Sequence, residues 1–341
     1  MRVIKNVEST SIGKTRIKND DGIYIGENFA GVFDGVSSKS AIMVDGKKVR
    51  IADIITEAIK KIDSKTAPSF AKTLDLNEFL QFINMYIKKF CEKHGIMLGE
   101  QKLEATGAIY SRYHNQIWLV GDCRAVYDGK TVENDLEADE LYTVIRMEVI
   151  KSLLEHGYTE EALFENDISR RIIKNPDDIM QYIKDEEEAK RLKTFIQDKM
   201  HEALVDVGFT EEEIISGNLL AKYYNPQILQ DYAKNNPDAN VYGYSVFNGI
   251  YTTVKHCKIV YLPRNVRNIR LSTDGFPIDV LKRSKDIGMA IRKNRKLTKQ
   301  DPLGIKEYRG IHGAVIQDGK NLATDDSSAI DIRIEEDEQI R

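Results

Sequence analysis

In Asn28-Phe29-Ala30-Gly31-Val32-Phe33-Asp34-Gly35-Val36-Ser37-Ser38 an apolar run ends at an Asp-Gly pair. Its β-branched and aromatic residues favour a strand, and that strand runs into an Asp-Gly turn. The turn sets a carboxylate beside an unhindered backbone carbonyl at a strand end, a pair suited to a hard, oxygen-seeking cation. Asp-Gly is equally an ordinary hairpin turn. A second copy in Ser272-Thr273-Asp274-Gly275, with acidic pairs at Asp20-Asp21 and Asp325-Asp326, favours the metal reading.

Working outward, Ile23 and Ile25 with the run 29–33 predict a hairpin through Gly26-Glu27-Asn28. Downstream the apolar period changes. Ile51, Ile54, Ile55, Ala58, Ile59 and Ile62 share one helical face, and Leu76, Phe79, Leu80, Ile83, Ile87 and Phe90 repeat the pattern. The second of these helices starts near Asp75 or Asn77 and stops before Gly95. Strands return over 105–113, 116–120 and 124–127. Strands, two helices, then strands predict an α+β chain, a sandwich of antiparallel sheets with helices outside, over a doubly wound βαβ sheet.

Residues 139–236 differ in character. Their pattern is helical, and 21 acidic against 12 basic residues give this segment a net charge of −9. Within it Leu153-Leu154-Glu155-His156-Gly157-Tyr158-Thr159-Glu160-Glu161 is echoed by Leu204-Val205-Asp206-Val207-Gly208-Phe209-Thr210-Glu211-Glu212. Each reads as a helix stopped by glycine, followed by a threonine cap and an acidic first turn. Convergent capping or a duplication would both produce the echo. The organisation expected is one discontinuous core, 1–138 with 237–341, interrupted by an acidic helical insertion at 139–236.

After the insertion, strands are expected at 249–254, 259–262, 269–272 and 329–334, with a helix opened by Pro277 between the last two. The basic run Arg283, Lys285, Arg292, Lys293, Arg295, Lys296 and Lys299 is either a solvated helix face or a docking surface for acidic partners. Glu335-Glu336-Asp337-Glu338 reads as an acidic tail.

With 341 residues, 41% hydrophobic and 30% charged, the chain has material for a sizeable core. A net charge of −4 gives no nucleic-acid or membrane signal. Neither a signal peptide nor a span of ~18 apolar residues is apparent. Cys91, Cys123 and Cys257 are far apart and odd in number, as expected of reduced thiols in a cytoplasmic protein. The six histidines are isolated, so an oxygen-only site favouring Mg²⁺ or Mn²⁺ is expected over zinc.

These motifs resemble, in order, those of the metal-dependent (type 2C) protein phosphatase family. Arg16-Ile17-Lys18-Asn19-Asp20-Asp21 resembles its opening motif and Val32-Phe33-Asp34-Gly35 its first Asp-Gly. Ala105-Thr106-Gly107-Ala108 and Val120-Gly121-Asp122-Cys123-Arg124-Ala125 resemble the central strand pair. Leu271-Ser272-Thr273-Asp274-Gly275-Phe276 resembles the second Asp-Gly, and Thr324-Asp325-Asp326-Ser327-Ser328-Ala329-Ile330 the closing motif.

The resemblance implies a β-sandwich flanked by helices, with two Mn²⁺ or Mg²⁺ ions in a cleft at one end. Asp34 would bridge both ions and the Gly35 carbonyl would bind one. Asp274 and Asp325 would hold the other ion, Asp20 and Asp21 would act through metal-bound waters, and Asp122 would serve a third, weaker site. Arg16 would bind the phosphate of a phosphorylated protein substrate, for which a planar fork is well shaped. Hydrolysis of phosphoserine or phosphothreonine by an activated water would follow. An inactive interaction protein on the same fold, or a phosphatase of small phosphomonoesters, fits the same motifs. Three departures stand out: Val36 where many relatives carry histidine, Cys123 for the usual serine, and Ser37-Ser38 for glycines. By the same resemblance the insertion takes the place of the family's mobile flap, where it would either only elaborate the packing or gate the cleft, select substrates and meet a protein partner.

Overall fold

A computed structural model describes residues 2–13, 19–35, 42–64, 73–99, 103–134, 136–301, 303 and 326–336. The chain divides into two compact units. One comprises Met1–Asp135, Ser245–Lys296 and Asp325–Arg341; the other comprises Leu136–Tyr244 and Leu297–Thr324.

In chain order the first unit opens with β1 (Arg2–Ile12), β2 (Gly22–Ile25), β3 (Phe29–Gly35), β4 (Ile42–Val44) and β5 (Lys47–Val49). Helices α1 (Ile51–Ile62) and α2 (Leu76–Lys93) follow, then β6 (Ala105–Ser111), β7 (Gln116–Val120), β8 (Arg124–Tyr127) and β9 (Lys130–Val132). The second unit supplies α3 (Glu137–Glu155), α4 (Glu160–Asn166), α5 (Ile168–Lys174), α6 (Ile179–Tyr182) and α7 (Glu186–Val207). It continues with α8 (Glu211–Ser216), α9 (Leu219–Lys222) and α10 (Pro226–Ala233). Beyond it come β10 (Lys258–Tyr261), β11 (Asn268–Ser272), α11 (Ile278–Lys282), α12 (Ile287–Gln300) and β12 (Ser327–Glu336).

The first unit is the expected α+β sandwich. Among the described residues its sheets run β1-β12-β11-β8-β9 and β10-β7-β6-β3-β2, with antiparallel pairing throughout and a separate β4-β5 hairpin. Strand parity explains the apolar run that flagged β3. Phe29 and Phe33 face α1 and α2, while Ala30 and Val32 face the other sheet. β7 divides in the same way, with Trp118 and Val120 on the helix side and Ile117 and Leu119 on the sheet side. A strand buried on both faces carries no polar alternation. Phe29, Phe79 and Trp118 stack around one point, with ring centroids 5.4–6.2 Å apart. Each fully buried ring of this size contributes roughly 1.5–3 kcal/mol by leaving water.

The helix ends follow local chemistry. Asp75 caps α2 in a reciprocal box with Glu78, and Gly95 past its end takes φ +66. On the outer face of the β1-containing sheet, Arg270 grips Asp331 and donates to the carbonyls of Leu281 and Ser284. Glu8 of β1 accepts from Ile287 N and Gly288 N at the start of α12, as a carboxylate at a helix N-terminus should.

The second unit has a core of its own, built from Ile145, Val149, Leu153, Ile172, Leu192, Ile196 and Leu204 among others. The echoed motif is a pair of real helix junctions. Gly157 and Gly208 take φ +88 and +118, and Thr159 and Thr210 cap α4 and α8. Among the described residues no helix is long and apolar enough to cross a membrane.

Three expectations change. Residues 249–254 are not a strand: Asn84 Oδ1 accepts from Asn248 N and Gly249 N, and Asn248 Oδ1 from Ile250 N and Tyr251 N. These side chains take the backbone donors that a sheet would need. Glu335 and Glu336 belong to β12 and are not tail, with Lys5 ion-paired to Glu335 across the strands. β4, β5 and β9 were not expected from sequence because each is only three residues long, whereas β8 lies where a strand was expected.

Candidate functional site

Asp34 reaches its place by parity and register. It follows Phe33 on β3, so it points to the same side as Ala30 and Val32, toward the space between the sheets at their end. Its register partner is Thr106 on β6, which also lies on that face. Thr106 Oγ1 donates to Asp122 Oδ1 at 2.6 Å, just past the end of β7. The turn that allows this needs Gly121: it sits at φ +78, and a Cβ there would come within 2.2 Å of Thr106 Cγ2.

The other sheet delivers the second half. Past β11, Thr273 Oγ1 donates to Asp21 Oδ2 at 3.0 Å and accepts from Ser328 N at 2.9 Å. Arg124 Nη1 donates to the carbonyls of Asp274 and Phe276, at 3.0 and 2.9 Å, and so fixes the second Asp-Gly. Buried Asp20 receives Lys48 Nζ at 2.5 Å, and its N–H donates to Asp326 Oδ2 at 2.9 Å.

Asp34-Gly35 and Asp274-Gly275 differ from the hairpin turns of the same sequence. Asp45-Gly46 and Asp128-Gly129 take positive φ at both residues, as a tight hairpin demands. Asp34-Gly35 and Asp274-Gly275 do not. There glycine is required because main chain passes against its Cα. A Cβ would lie 2.4 Å from the Asp20 carbonyl oxygen at Gly35, and 1.9 Å from that of Asp326 at Gly275. Each Asp-Gly is thus packed on one of the acidic pairs.

The electrostatics tie four segments together. Asp34 titrates well above the usual carboxylate range, through burial first, then the charges of Asp21, Asp274 and Asp122 and a hydrogen bond with Asp274. Carboxylates crowded this way share a proton or recruit a cation. The Cys123 thiol, buried and 3.4 Å from Thr106 Oγ1, is pushed up by burial and by Asp122, Asp34 and Asp274. It therefore stays protonated and is a poor nucleophile.

For a hard divalent cation the donor chemistry fits: every group is a carboxylate or carbonyl oxygen, and the mutual repulsion at Asp34 is the penalty a cation removes. As they stand, no three acidic, histidine or cysteine side chains among the described residues are gathered closely enough to hold an ion. Of the residues singled out from sequence, Asp20, Asp21, Asp34, Gly35, Asp122 and Asp274 lie within this region. Arg16, Asp325 and Val36 lie outside the described residues. Sequence reasoning missed Lys48 and Arg50, which carry no motif. It quoted Thr106, Arg124 and Thr273 within motifs without giving them roles.

No family profile matches the chain, and no curated protein does. Solved structures do. The serine/threonine phosphatase PstP/Ppp of Mycobacterium tuberculosis is 12% identical, with a TM-score of 0.41 over 98% of this chain and 100% of that one. PppA, a regulatory component of the T6SS in Pseudomonas aeruginosa, is 14% identical at a TM-score of 0.41, again over 98% and 100%. The phosphatase Stp1 of Staphylococcus aureus is 12% identical at 0.40, over 99% and 98%. PstP/Ppp and Stp1 are both described as serine/threonine phosphatases.

Proposed function

We propose that the chain is a metal-dependent phosphatase of phosphoserine and phosphothreonine in proteins. One observation carries this reading: buried Asp34, at the end of a core strand, feels the charges of Asp21, Asp122 and Asp274 from three other segments and shares a hydrogen bond with Asp274. A fold does not gather four carboxylates at the end of a sandwich for stability, since each raises the cost of ionising the others.

In this reading Asp34, the Gly35 carbonyl, Asp274 and Asp325 hold two divalent cations, Mn²⁺ or Mg²⁺, with Asp20 and Asp21 around them and Asp122 at a weaker third position. Bound there, divalent cations would supply an activated water and neutralisation of charge on the phosphoryl oxygens. Arg16 binds the phosphate through its fork. Thr273 holds the Asp21 carboxylate in orientation, Thr106 holds that of Asp122, and Arg124 fixes the main chain that presents Asp274. No phosphocysteine intermediate is needed, and Cys123, whose thiol burial and the nearby aspartates keep protonated, is poorly suited to form one. Cys91, Cys123 and Cys257 are all free, as suits a cytoplasmic setting. The acidic insertion selects among protein substrates by charge.

Purified protein with Mn²⁺ should hydrolyse an aryl phosphate and a phosphothreonine peptide, lose both activities in a chelator, and lose them on Asp274→Asn. Folded protein that shows no metal-dependent turnover above background would refute the reading.

A further inference from the structure

Arg50 occupies the N-cap position of α1, yet its side chain makes no capping bond to that helix. It reaches instead to the segment that carries the acidic pair. Nη1 donates to the carbonyls of Asn19 and Asp21, both at 3.0 Å. Nε and Nη2 meet the carboxylate of Asp53, in the first turn of α1, at 2.8 and 2.5 Å. One face of the fork is therefore fixed by a helical carboxylate, and the remaining donors clamp the two carbonyls that bracket Asp20.

The rest of the segment is tied just as closely. Asp20 N donates to Asp326, the Asp20 carboxylate receives Lys48, and Asp21 N donates to Asn19 Oδ1 at 3.0 Å. The Arg50–Asp53 ion pair itself lies partly in solvent, with side-chain exposures of 31% and 49%. A pair this wet contributes little to stability. What it does supply is orientation: a planar guanidinium, held on one edge, sets the height of the short segment that carries Asp20 and Asp21, the latter bonded to Thr273 and acting on Asp34.

We propose that Arg50 is a positioning residue for the Asp20-Asp21 pair, with Asp53 as the group that aims it. This rests on the metal-dependent reading above. A lysine here could not engage Asp53 in two bonds and two carbonyls at once, so Arg50→Lys should behave as a loss and not as a rescue.

The test measures Mn²⁺ binding to metal-free protein by electron paramagnetic resonance of free Mn²⁺, with thermal melting in chelator and kinetics on an aryl phosphate beside it. Arg50→Lys and Asp53→Asn should each weaken Mn²⁺ binding by at least about tenfold. The double variant should be no weaker than the worse single one. Melting of the metal-free protein should stay near wild type, and kcat should recover at saturating Mn²⁺. Unchanged affinity in both variants, or a loss of affinity that only tracks a fall in metal-free melting temperature, overturns the proposal while leaving the phosphatase reading intact. Wild-type protein that takes up no Mn²⁺ overturns that reading and this proposal together.

Discussion

The main-chain N–H of Asp20 donates to Oδ2 of Asp326 at 2.9 Å, joining two acidic pairs that lie 306 residues apart in sequence. Both residues are buried. This bond brings the opening and closing motifs together, and its loss should be felt in both stability and metal binding. Asp326→Ala removes the acceptor from a buried N–H, which costs about 1–3 kcal/mol. Urea unfolding of the metal-free protein should show that decrease, and manganese titration should show weaker binding. Asp326→Asn, which retains an acceptor oxygen, should recover most of the stability and little of the affinity.

Glycine at positions 35 and 275 is set by close approach, so alanine at either should act through main-chain displacement. Gly275→Ala would force a Cβ to within 1.9 Å of the Asp326 carbonyl, and Gly35→Ala to within 2.4 Å of that of Asp20. Overpacking of this kind costs roughly 1–3 kcal/mol. Either variant should therefore lose metal-dependent turnover well beyond its loss of stability. Gly46→Ala is the contrast: nothing lies within 4 Å of its Cβ, and its φ of +74 alone makes it unfavourable. It should lower the melting temperature slightly and leave kcat unchanged.

Asp34 predicts a pH dependence in the metal-free protein. Its carboxyl titrates well above the ordinary range when folded and within it when unfolded. Below the ordinary range both states are protonated, and the folded state suffers no penalty. From the ordinary range up to the raised folded value the unfolded chain ionises while the folded one keeps its proton, so stability falls as pH rises and the loss is complete once pH has passed the folded value. Metal-free protein should thus melt higher at mildly acidic pH than at neutral pH. Asp34→Asn should flatten that profile and raise the neutral melting temperature while abolishing activity. A profile for Asp34→Asn that parallels wild type would show that Asp34 is not the group responsible.

How much of this was legible beforehand depends on what carries the information. The sandwich was readable because its elements announce themselves locally: the period-3.6 faces of α1 and α2, the Asp75 cap, and strands at 105–111, 116–120 and 124–127. The aspartates were readable as motifs in order. Why glycine follows Asp34 and Asp274 was not, because that depends on the main chain that passes against it and not on its neighbours in sequence. Lys48 and Arg50 were invisible for the same reason: their partners, Asp20, Asn19 and Asp21, lie 28–31 residues away and carry no spacing rule. The 249–254 error has the opposite cause. Strand-forming residues there were overruled by two asparagines, Asn84 and Asn248, of which one lies far upstream.

The acidic insertion calls for a test that leaves its fold intact, because its helices share one core and deletion would open it. Glu186, Glu187, Glu211 and Glu212 are exposed first-turn residues of α7 and α8. Converting all four to glutamine removes charge and little packing, at a cost of about 0.3–1 kcal/mol each from the helix dipole. If the segment, at a net −9 over 139–236, attracts basic substrates, the variant should lose kcat/KM on a basic phosphopeptide by a few-fold, and the loss should shrink in high salt. Turnover of an aryl phosphate should not change. Parallel losses on both substrates would mean that the charge acts through the stability of the helices and not through substrate choice.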